Sequence, residues 1–529
     1  MSGKPQVHQA SVRDVKFGQR VKLVEPCNLY GCEIADDCFV GPFTEIQAGV
    51  MIGARTRVQS HAFICELVSI GEDCFIGHGV MFINDTFSMG GAGAGAPRIV
   101  VRNEDRQPGF DRVECDYYAG LDRRRRRDRS RLCGHKRHSK AWHLCWKSRP
   151  PPQEQQLMRA IMPVPYADLG LQYQSIKDEI DGAIAAVIRD SAFIRGPYVD
   201  AFEREFAVVA SVKHCVSCAN GTDALYLAMA ALKVKPGDEV ITTAHSWIST
   251  SAMVTHAGAQ VVFCDTDRET FTIDPAAIEA AITPRTVGII PVHLYGQPAD
   301  MDAIMAIAKR HGLWVIEDCA QAHLARYKGQ MVGTFGTAAS YSFYPGKNLG
   351  AMGDAGAVVT NDSVLAQRMT MLARHGGLLK HQHSIEGINS RLDGLQAAIL
   401  SVKLRHLSRW TKARQAAAGI YDAGLNQLKD LAVPYVATER EHVYHLYTVQ
   451  HPRRDELAAY LKSHGVQTAI NYPTALPFLE AYQRFGARPE QFPNAHNHQS
   501  RIISLPMFAE ITSNQQAAVI DLIHAFSRS

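Results

Sequence analysis

The feature that most constrains the fold is a six-residue period in the N-terminal part of the chain. From Ile34 onward an aliphatic or aromatic residue recurs at every sixth position, often followed by glycine. Neither helical periodicity nor strand alternation gives this spacing. A triangular parallel β-helix does, because each flat side is one hexapeptide with its recurring side chain inside the prism and glycine easing the corner. The repeat comprises Ile34, Val40, Ile46, Ile52, Val58, Ile64, Ile70, Ile76 and Phe82, with Gly41, Gly53, Gly71 and Gly77 after four of them.

Two stretches of this repeat, residues 60–67 (SHAFICEL) and 77–85 (GHGVMFIND), resemble the hexapeptide-repeat acyltransferases that N-acetylate amino sugars on nucleotide carriers. The resemblance implies a left-handed parallel β-helix over residues 1–90 that assembles as a trimer. It also implies that a polar residue at a subunit boundary receives the proton of the amine, and His78 and Asn84 are the candidates. The alternative is that both are turn residues of the coil.

The period stops after residue 90, inside the domain that it should build. Residues 90–96 read GGAGAGA, and the run Arg123–Arg127 and scattered Cys, His and Trp follow. This segment could be a basic arm for a polyanion, a solvated linker or a metal cluster, although the spacing matches no zinc pattern. We favour a shift of reading frame near the codons for residues 88–100, which resequencing of the gene would show. Residues 91–161 are then a low-complexity and basic linker, and acetyl-CoA is expected as a ligand only if the N-terminal domain is functional.

Length and composition narrow the remaining possibilities. A chain of 529 residues is expected to form two or three domains. The formal net charge of +4 is small for this length and gives no reason to expect nucleic acid or an acidic membrane as a partner. The twelve cysteines are scattered rather than arranged as a disulfide framework or a zinc site, which favours a cytoplasmic protein without a metal.

From residue 162 short apolar runs alternate with helical patterns, which is typical of an α/β fold. We predict a large cofactor-binding α/β domain over residues 162–410 and a small α+β domain over residues 411–529. The large domain should contain an open parallel sheet, in which ligands gather at the carboxyl ends of the strands. The predicted strands are residues 214–218, 238–242, 260–265, 287–292, 314–318 and 338–343, with helices over 222–232 and 301–311.

Four motifs lie at predicted strand ends. Asn220–Thr222 begins a helix whose free backbone N–H groups can bind a phosphate, and Trp247 offers a flat stacking face. Asp318 is a buried carboxylate that needs a cationic partner, such as a protonated pyridine nitrogen. Lys347 lies among aromatic, proline and glycine residues, where desolvation favours a neutral amine that forms a Schiff base. Each motif alone has an ordinary alternative, namely a helix cap, core packing, a turn cap or a solvated lysine. Together they match pyridoxal 5'-phosphate (PLP).

Residues from about 163 to 527 resemble the DegT/DnrJ/EryC1/StrS family of sugar aminotransferases, which have the aspartate-aminotransferase fold (PLP-dependent transferase fold type I). The motifs are residues 219–225 (ANGTDAL), 291–297 (PVHLYGQ), 317–323 (EDCAQAH), 342–350 (SFYPGKNLG) and 389–398 (NSRLDGLQAA). The resemblance implies that Lys347 bonds to PLP and transfers protons, that Asp318 pairs with the ring nitrogen and that Gln321 approaches the ring hydroxyl. The implied phosphate ligands are Gly221, Thr222, Ser342 and, from the neighbouring subunit of a homodimer, Asn389.

The same resemblance implies a reaction. An amino donor, usually glutamate in this family, would supply nitrogen to a keto sugar on a nucleoside diphosphate, as in the making of surface polysaccharide. Residues 374–393 look more like the 3-aminotransferases than the 4-aminotransferases. Asn471 replaces a His of many relatives, which should alter the sugar contacts. Two alternatives stay open: a bifunctional aminotransferase and N-acetyltransferase, assembled as a hexamer through the β-helix, and a non-catalytic regulator of the same fold.

Overall fold

A computed structural model describes residues 12–66, 68–77, 80, 100–101, 163–379 and 381–528. The chain divides into two compact units, Met1–Lys147 and Ser148–Ser529. The first is built of short strands alone in its described residues, and the second alternates strands with helices.

The first unit is a parallel β-helix. Its short strands form three sheets, with the orders β1-β4-β7-β10, β13-β11-β8-β5-β2 and β12-β9-β6-β3, and every pairing is parallel. Paired residues are one coil apart, as in Glu45 opposite Phe63, except that Ser69 in β11 pairs with Val100 in β13 across a longer stretch of chain. The strands are β1 Val12–Arg13, β2 Lys16–Phe17, β3 Lys22–Leu23, β4 Asn28–Tyr30, β5 Glu33–Ile34, β6 Phe39–Val40, β7 Glu45–Ile46, β8 Met51–Ile52, β9 Arg57–Val58, β10 Phe63–Ile64, β11 Ser69–Ile70, β12 Phe75–Ile76 and β13 Val100–Val101.

The hexapeptide prediction is confirmed by burial. The eight recurring aliphatic residues from Ile34 to Ile76 are all at most 4% exposed, and Phe82 lies outside the described residues. The structure adds a second inward position that the sequence analysis missed, two residues before each aliphatic one. Small side chains fill this second position because two inward residues of each hexapeptide share one narrow core. They are Cys32, Cys38, Thr44, Val50, Thr56, Ala62, Val68 and Cys74.

Gly41 and Gly53 of the repeat act through coil spacing rather than through backbone conformation. A Cβ at Gly53 would lie 2.5 Å from the carbonyl carbon of Gly71, and one at Gly41 would lie 2.7 Å from the backbone nitrogen of Ser60. Neither glycine has a positive φ. At the corners after these two glycines the left-handed residue comes two positions later and is not glycine, as at Arg55, where φ is 61°. Gly31 and Gly49 do adopt left-handed φ values, of 60° and 73°. Glycine therefore eases some corners through backbone conformation, whereas Gly41 and Gly53 act through coil spacing.

The second unit is an α/β layer structure around a seven-stranded sheet in the order β14-β22-β21-β18-β17-β15-β16. The strands of this sheet are β14 His214–Cys218, β15 Glu239–Thr243, β16 Gln260–Cys264, β17 Thr286–Ile290, β18 Trp314–Asp318, β21 Ala338–Ser342 and β22 Gly356–Thr360. The shorter strands of the unit are β19 Arg326–Tyr327, β20 Gln330–Met331, β23 Arg440–Glu441, β24 Tyr447–Gln450 and β25 Ile502–Leu505.

Helices cover this sheet and continue into the C-terminal region. The α-helices are α1 Leu169–Ser175, α2 Lys177–Arg189, α3 Pro197–Val209, α4 Gly221–Ala231, α5 Ser249–His256, α6 Pro275–Ala281, α7 Met301–His311, α8 Ser363–Leu372, α9 Gly394–Leu425, α10 Arg454–Ser463, α11 Pro493–Arg501 and α12 Ser513–Ser527. Short 3-10 helices span Leu294–Gly296, Leu476–Phe478, Glu480–Phe485 and Pro489–Gln491.

The predicted strands and helices all occur, shifted by at most two residues, but the sheet is not fully parallel. Strand β22 pairs antiparallel with both β14 and β21. The chain between Ser342 and Gly356 folds into a closed loop without a helix, and the Phe343 N–H donates to the Ala355 carbonyl oxygen at 2.8 Å, so β22 re-enters the sheet beside β21 in the opposite direction. The other six strands run in one direction, so the ends of β18 and β21 deliver their following residues to the same edge.

Local sequence sets the helix ends. The Asn220 side chain accepts a hydrogen bond from the Asp223 N–H at the start of α4. Helix α7 begins after Asp300, whose carboxylate caps Ala303 N–H, and it ends at Gly312 with φ 68°, which glycine adopts without strain. Helix α9 is continuous through residue 410, where the predicted domain boundary falls, so the division of this unit at that point stays a prediction.

Two negative findings concern the described residues. None of the helices there is long and apolar enough to cross a membrane. No disulfide joins the nine cysteines of the described ranges, all of which are buried. Cys215 and Cys218 have C-x-x-C spacing, but on a strand residues three apart face opposite sides of the sheet.

Candidate active site

The predicted site residues lie where the chain leaves the sheet. Asp318 ends β18 and Ser342 ends β21, and the turn carrying Lys347 follows Ser342. Trp247 lies between the end of β15 and the start of α5. Because β15, β18 and β21 run in the same direction, these residues converge on one edge of the sheet.

The start of α4 lies against the end of β21 at this edge. A Cβ at Gly221 would lie 2.6 Å from Cβ of Ser342, so only glycine allows the helix to start this close to the end of β21. The Thr222 and Ser249 hydroxyls lie 2.8 Å apart. In the part of the chain that the structure describes, the Gly221 and Thr222 amides have no acceptor, which leaves them available to an anion at the helix N-terminus.

The Asp318 carboxylate is buried and is held by two neutral hydrogen-bond donors. One oxygen accepts a hydrogen bond from the Thr250 hydroxyl at 2.9 Å, and the other accepts one from the Ala320 N–H at 3.1 Å. Burial raises the pKa of Asp318, and these hydrogen bonds and the charge of Lys347 oppose the rise. Among the described residues no cationic side chain forms an ion pair with Asp318. A buried carboxylate held by two neutral donors fits a protonated ring nitrogen as its missing partner.

Lys347 has the properties of a reactive amine. Burial lowers the pKa of Lys347 to about 8, against the opposing charge of Asp318. At neutral pH an appreciable fraction of the amine is therefore unprotonated, whereas an ordinary lysine is almost fully charged. The turn is closed by the Lys347 N–H, which donates to the Tyr344 carbonyl oxygen at 2.8 Å. The residue is half-buried, so part of it remains exposed to solvent.

Gln321 and Trp247 both contact Tyr472. The Gln321 amide donates to the Tyr472 hydroxyl at 3.1 Å and accepts from the Tyr295 N–H at 2.6 Å. The Tyr472 ring lies 5.5 Å from the ring of Trp247, tilted by 45°. Trp247 is 57% exposed, which excludes core packing as its role and leaves one face open for stacking.

The segment around Asn389 returns to the start of α4. Asn389 is exposed and its backbone pairs with Arg374. The next residue, Ser390, is buried and donates to the Asp223 carboxylate at 2.7 Å, while its hydroxyl accepts from the Ala219 N–H at 3.2 Å. Ser390 therefore stabilises the residues that flank the start of α4. The contribution of Asn389 to a neighbouring subunit stays a prediction.

A second buried polar group, beneath this edge, is satisfied within the chain. His293, Glu317 and Cys319 lie close enough to suit a metal ion. However, the Nδ1 atom of His293 accepts from the Ala299 N–H at 3.0 Å, and Nε2 lies 3.1 Å from Glu317. Glu317 also accepts three backbone N–H groups, those of Gly333, Phe335 and Gly336. This arrangement ties strand β18 to the following loop and leaves little lone-pair capacity for a metal.

Comparison with known proteins decides the family. The profile of the DegT/DnrJ/EryC1/StrS aminotransferase family matches residues 174–524, nearly the whole of the α/β unit. The chain belongs to this family. It is accordingly an aminotransferase that uses PLP, and the α/β unit has the fold of PLP-dependent transferases of fold type I.

Two curated relatives illustrate the family. A protein of Geobacillus stearothermophilus named pleiotropic regulatory protein is 48% identical over 369 residues, which are 69% of this chain and 99% of the relative. The dTDP-3-amino-3,4,6-trideoxy-α-D-glucose transaminase of Streptomyces venezuelae is 42% identical over 364 residues, which are 69% of this chain and 96% of the relative. Among solved structures, that of DesV from S. venezuelae superposes with a TM-score of 0.69 at 41% identity, covering 70% of this chain and 100% of DesV.

Within this aminotransferase the structure brings most of the predicted site residues to one edge of the sheet. His78 and Asn84, the candidates of the N-terminal unit, lie outside the described residues. Sequence reasoning missed Thr250, although it lies three residues beyond Trp247 in a run of hydroxyl residues. It also missed Asn348, next to Lys347, whose amide donates to the Val443 carbonyl oxygen at 3.1 Å. Proximity to known motif residues was the available signal for both.

Proposed function

We propose that this aminotransferase transfers the amino group of glutamate to a keto sugar carried on a nucleoside diphosphate, with the keto group at carbon 3. The observation that carries the proposal is the position, at one sheet edge, of a lysine of lowered pKa near a buried carboxylate that accepts hydrogen bonds from two neutral donors. The S. venezuelae relative is named as a transaminase of a 3-amino sugar nucleotide, which supports the substrate class.

The chain's residues divide the work of holding the cofactor. Gly221, Thr222 and Ser342 would hold the PLP phosphate at the start of α4, and Trp247 would cover one face of the ring. Asp318 would keep the ring nitrogen protonated, because a buried carboxylate is stabilised by an adjacent positive charge. When bound, PLP supplies an electron sink for the carbon from which a proton is removed.

Lys347 would transfer the proton. A general base works best when its pKa lies near the operating pH, and the burial that lowers the Lys347 pKa to about 8 achieves this. Its amine would take a proton from the donor carbon and return it on the cofactor side. The side-chain oxygen and nitrogen of Gln321 are hydrogen-bonded to Tyr295 and Tyr472. These two contacts would hold Gln321 in place beside the ring hydroxyl.

The proposed assembly and location follow from the family and from the cysteines. We propose a homodimer in which Asn389 completes the phosphate site of the other subunit. The buried cysteines without disulfides in the described ranges suit a reducing compartment, so we propose a cytoplasmic enzyme.

The test is a substrate panel with the purified protein. Thymidine- and uridine-linked 3-keto and 4-keto sugars would each be incubated with glutamate, and the formation of amino sugar and 2-oxoglutarate would be followed. The proposal expects turnover of a 3-keto sugar. Turnover of 4-keto sugars alone would contradict the position of the keto group, and turnover only with another amino donor would contradict glutamate.

A regulatory function is the second candidate, because the G. stearothermophilus relative is named for regulation. It would retain the fold and the cofactor but show no turnover with any sugar of the panel. A PLP-loaded protein without turnover would therefore support regulation over catalysis.

A further inference from the structure

The loop that carries Lys347 is compact, and its apolar residues Phe343, Leu349 and Ala351 pack in one buried cluster with residues of α3 and α9. It leaves β21 after Ser342 and closes where the Ala351 N–H donates to the Phe343 carbonyl oxygen at 2.8 Å. A Cβ at Gly350 would lie 2.2 Å from the Pro345 carbonyl oxygen, so the two halves of the loop touch. The position of the Lys347 amine therefore depends on what holds this closed loop from outside.

Besides the Asn348 contact to Val443, one polar contact to the loop comes from Lys403 in the long helix α9. Its side chain is only 3% exposed, and its ammonium donates to the Gly350 carbonyl oxygen at 2.8 Å. Burial lowers the pKa of Lys403 to about 8, with an opposing effect from the Glu510 carboxylate. An ammonium buried at this cost makes a strong, charge-assisted hydrogen bond, and it is directed at the backbone of the loop.

The second contact comes from Gln396 on the same helix. Its amide oxygen accepts from the Met352 N–H at 2.8 Å, and its amide nitrogen lies 3.3 Å from the Met352 carbonyl oxygen. A single side chain therefore satisfies both backbone groups of Met352. Gln396 and Lys403 are seven residues apart, which is two helical turns and places them on one face of α9.

We propose that Gln396 and Lys403 are positioning residues that clamp the loop at Met352 and Gly350 and thereby fix the reach of the Lys347 amine. The proposal rests on the proposed role of Lys347 as the proton-transferring group. A lysine displaced by even one ångström transfers protons poorly, and the two clamps define the loop just beyond Lys347.

The test compares three variants of the PLP-loaded protein. Lys403→Met keeps the aliphatic chain and removes the ammonium, and Gln396→Met keeps the volume and removes both amide contacts. Lys412→Met changes an exposed lysine of the same helix and is the control. Hydrogen–deuterium exchange of residues 343–353 and the pH midpoint of the visible cofactor absorption are measured, together with kcat and KM for the amino donor.

The clamp predicts about tenfold faster exchange confined to residues 343–353 in both test variants. It predicts a kcat lowered by about 10-fold to 10²-fold with KM within about twofold. The pH midpoint should shift by about half a unit or more, because the surroundings of Lys347 change. Lys412→Met should leave all four quantities unchanged.

Two results would overturn the clamp: unchanged exchange and midpoint in both test variants, or a rise in exchange spread evenly over the central sheet. Absence of turnover in the unaltered protein would instead contradict the proposed function. Exchange and the pH midpoint would still decide the clamp in that case, because neither requires a substrate.

Discussion

The two units of this chain use sequence in different ways. In the β-helix, paired residues are one coil apart, so each inward side chain packs against chain neighbours that repeat the same pattern. In the aminotransferase unit, the Thr250–Asp318 contact joins residues 68 apart and the Gly350–Lys403 contact joins residues 53 apart, with no repeat to announce them. The contacts of the first unit follow from the sequence repeat, whereas those of the second join residues that are far apart in the sequence.

The cores differ in chemistry as well. The β-helix interior contains aliphatic residues and small side chains, and its requirements are mostly steric. The aminotransferase unit buries Asp318 and Lys403 and half-buries Lys347, so its interior is also under electrostatic constraint. Substitutions in the β-helix should accordingly act through steric fit, whereas substitutions in the aminotransferase unit should also act through charge.

The largest effect is expected from Lys347→Ala. Loss of the proton-transferring amine should lower transamination by about 10²–10⁴-fold, the usual contribution of a general base. The visible absorption expected at about 410–430 nm for PLP bonded to a lysine should also disappear. Lys412→Ala, which removes an exposed lysine on α9, should change neither quantity. Wild-type turnover by Lys347→Ala would refute the assignment.

Asp318→Asn should separate activity from stability. The amide cannot balance a protonated ring nitrogen, so turnover should fall by about 10²-fold. Burial raises the folded-state pKa of Asp318, so its ionised form costs stability at every pH above that value. The cofactor-free variant should therefore melt at a higher temperature than the unaltered protein at pH 7. Calorimetry measures the melting temperature, and Asp178→Asn at an exposed site is the control. A lower melting temperature for Asp318→Asn would contradict the reasoning.

Lys403→Met should change how stability depends on pH. The folded-state pKa of about 8 lies below the ordinary value of 10.5, so the folded protein binds fewer protons between these pH values. Stability conferred by Lys403 therefore rises from about pH 8 to pH 10.5, and the penalty is full below pH 8. Relative to the unaltered protein, the variant should lose up to about 3 kcal/mol over that window. Denaturant titrations of both cofactor-free proteins at pH 7 and pH 10 measure this loss. The same difference in unfolding free energy between variant and unaltered protein at both pH values would contradict the prediction.

Two glycine-to-alanine substitutions, one in each unit, should change the free energy of unfolding in opposite directions. Gly53→Ala forces a methyl group to within 2.5 Å of the next coil and should destabilise the β-helix by about 1–3 kcal/mol. Gly182→Ala, in the exposed middle of α2 with nothing within 4 Å, should stabilise by about 0.5–1 kcal/mol. Neither should alter transamination. Thermal unfolding of both variants gives the comparison, and equal effects would remove the steric distinction.

Much of the fold was predictable because its signals are local. The hexapeptide period gave the inward positions from Ile34 to Ile76, and apolar runs gave six of the seven strands of the central sheet to within two residues. Strand β22 was not predicted, and its antiparallel direction depends on the loop before it rather than on composition. The second inward position was missed because Cys, Thr, Val and Ala share small volume rather than one chemical character.

The sequence by itself determined the repeat, the order of strands and helices, and the family motifs that contain Asp318 and Lys347. Only the tertiary structure decided that Thr250 bonds to Asp318, that Gly221 lies against Ser342, and that α9 reaches the Lys347 loop through Lys403. The physical reason is range. Periodicity and propensity act between residues a few positions apart, whereas desolvation and hydrogen bonding depend on every group that folding brings within a few ångströms.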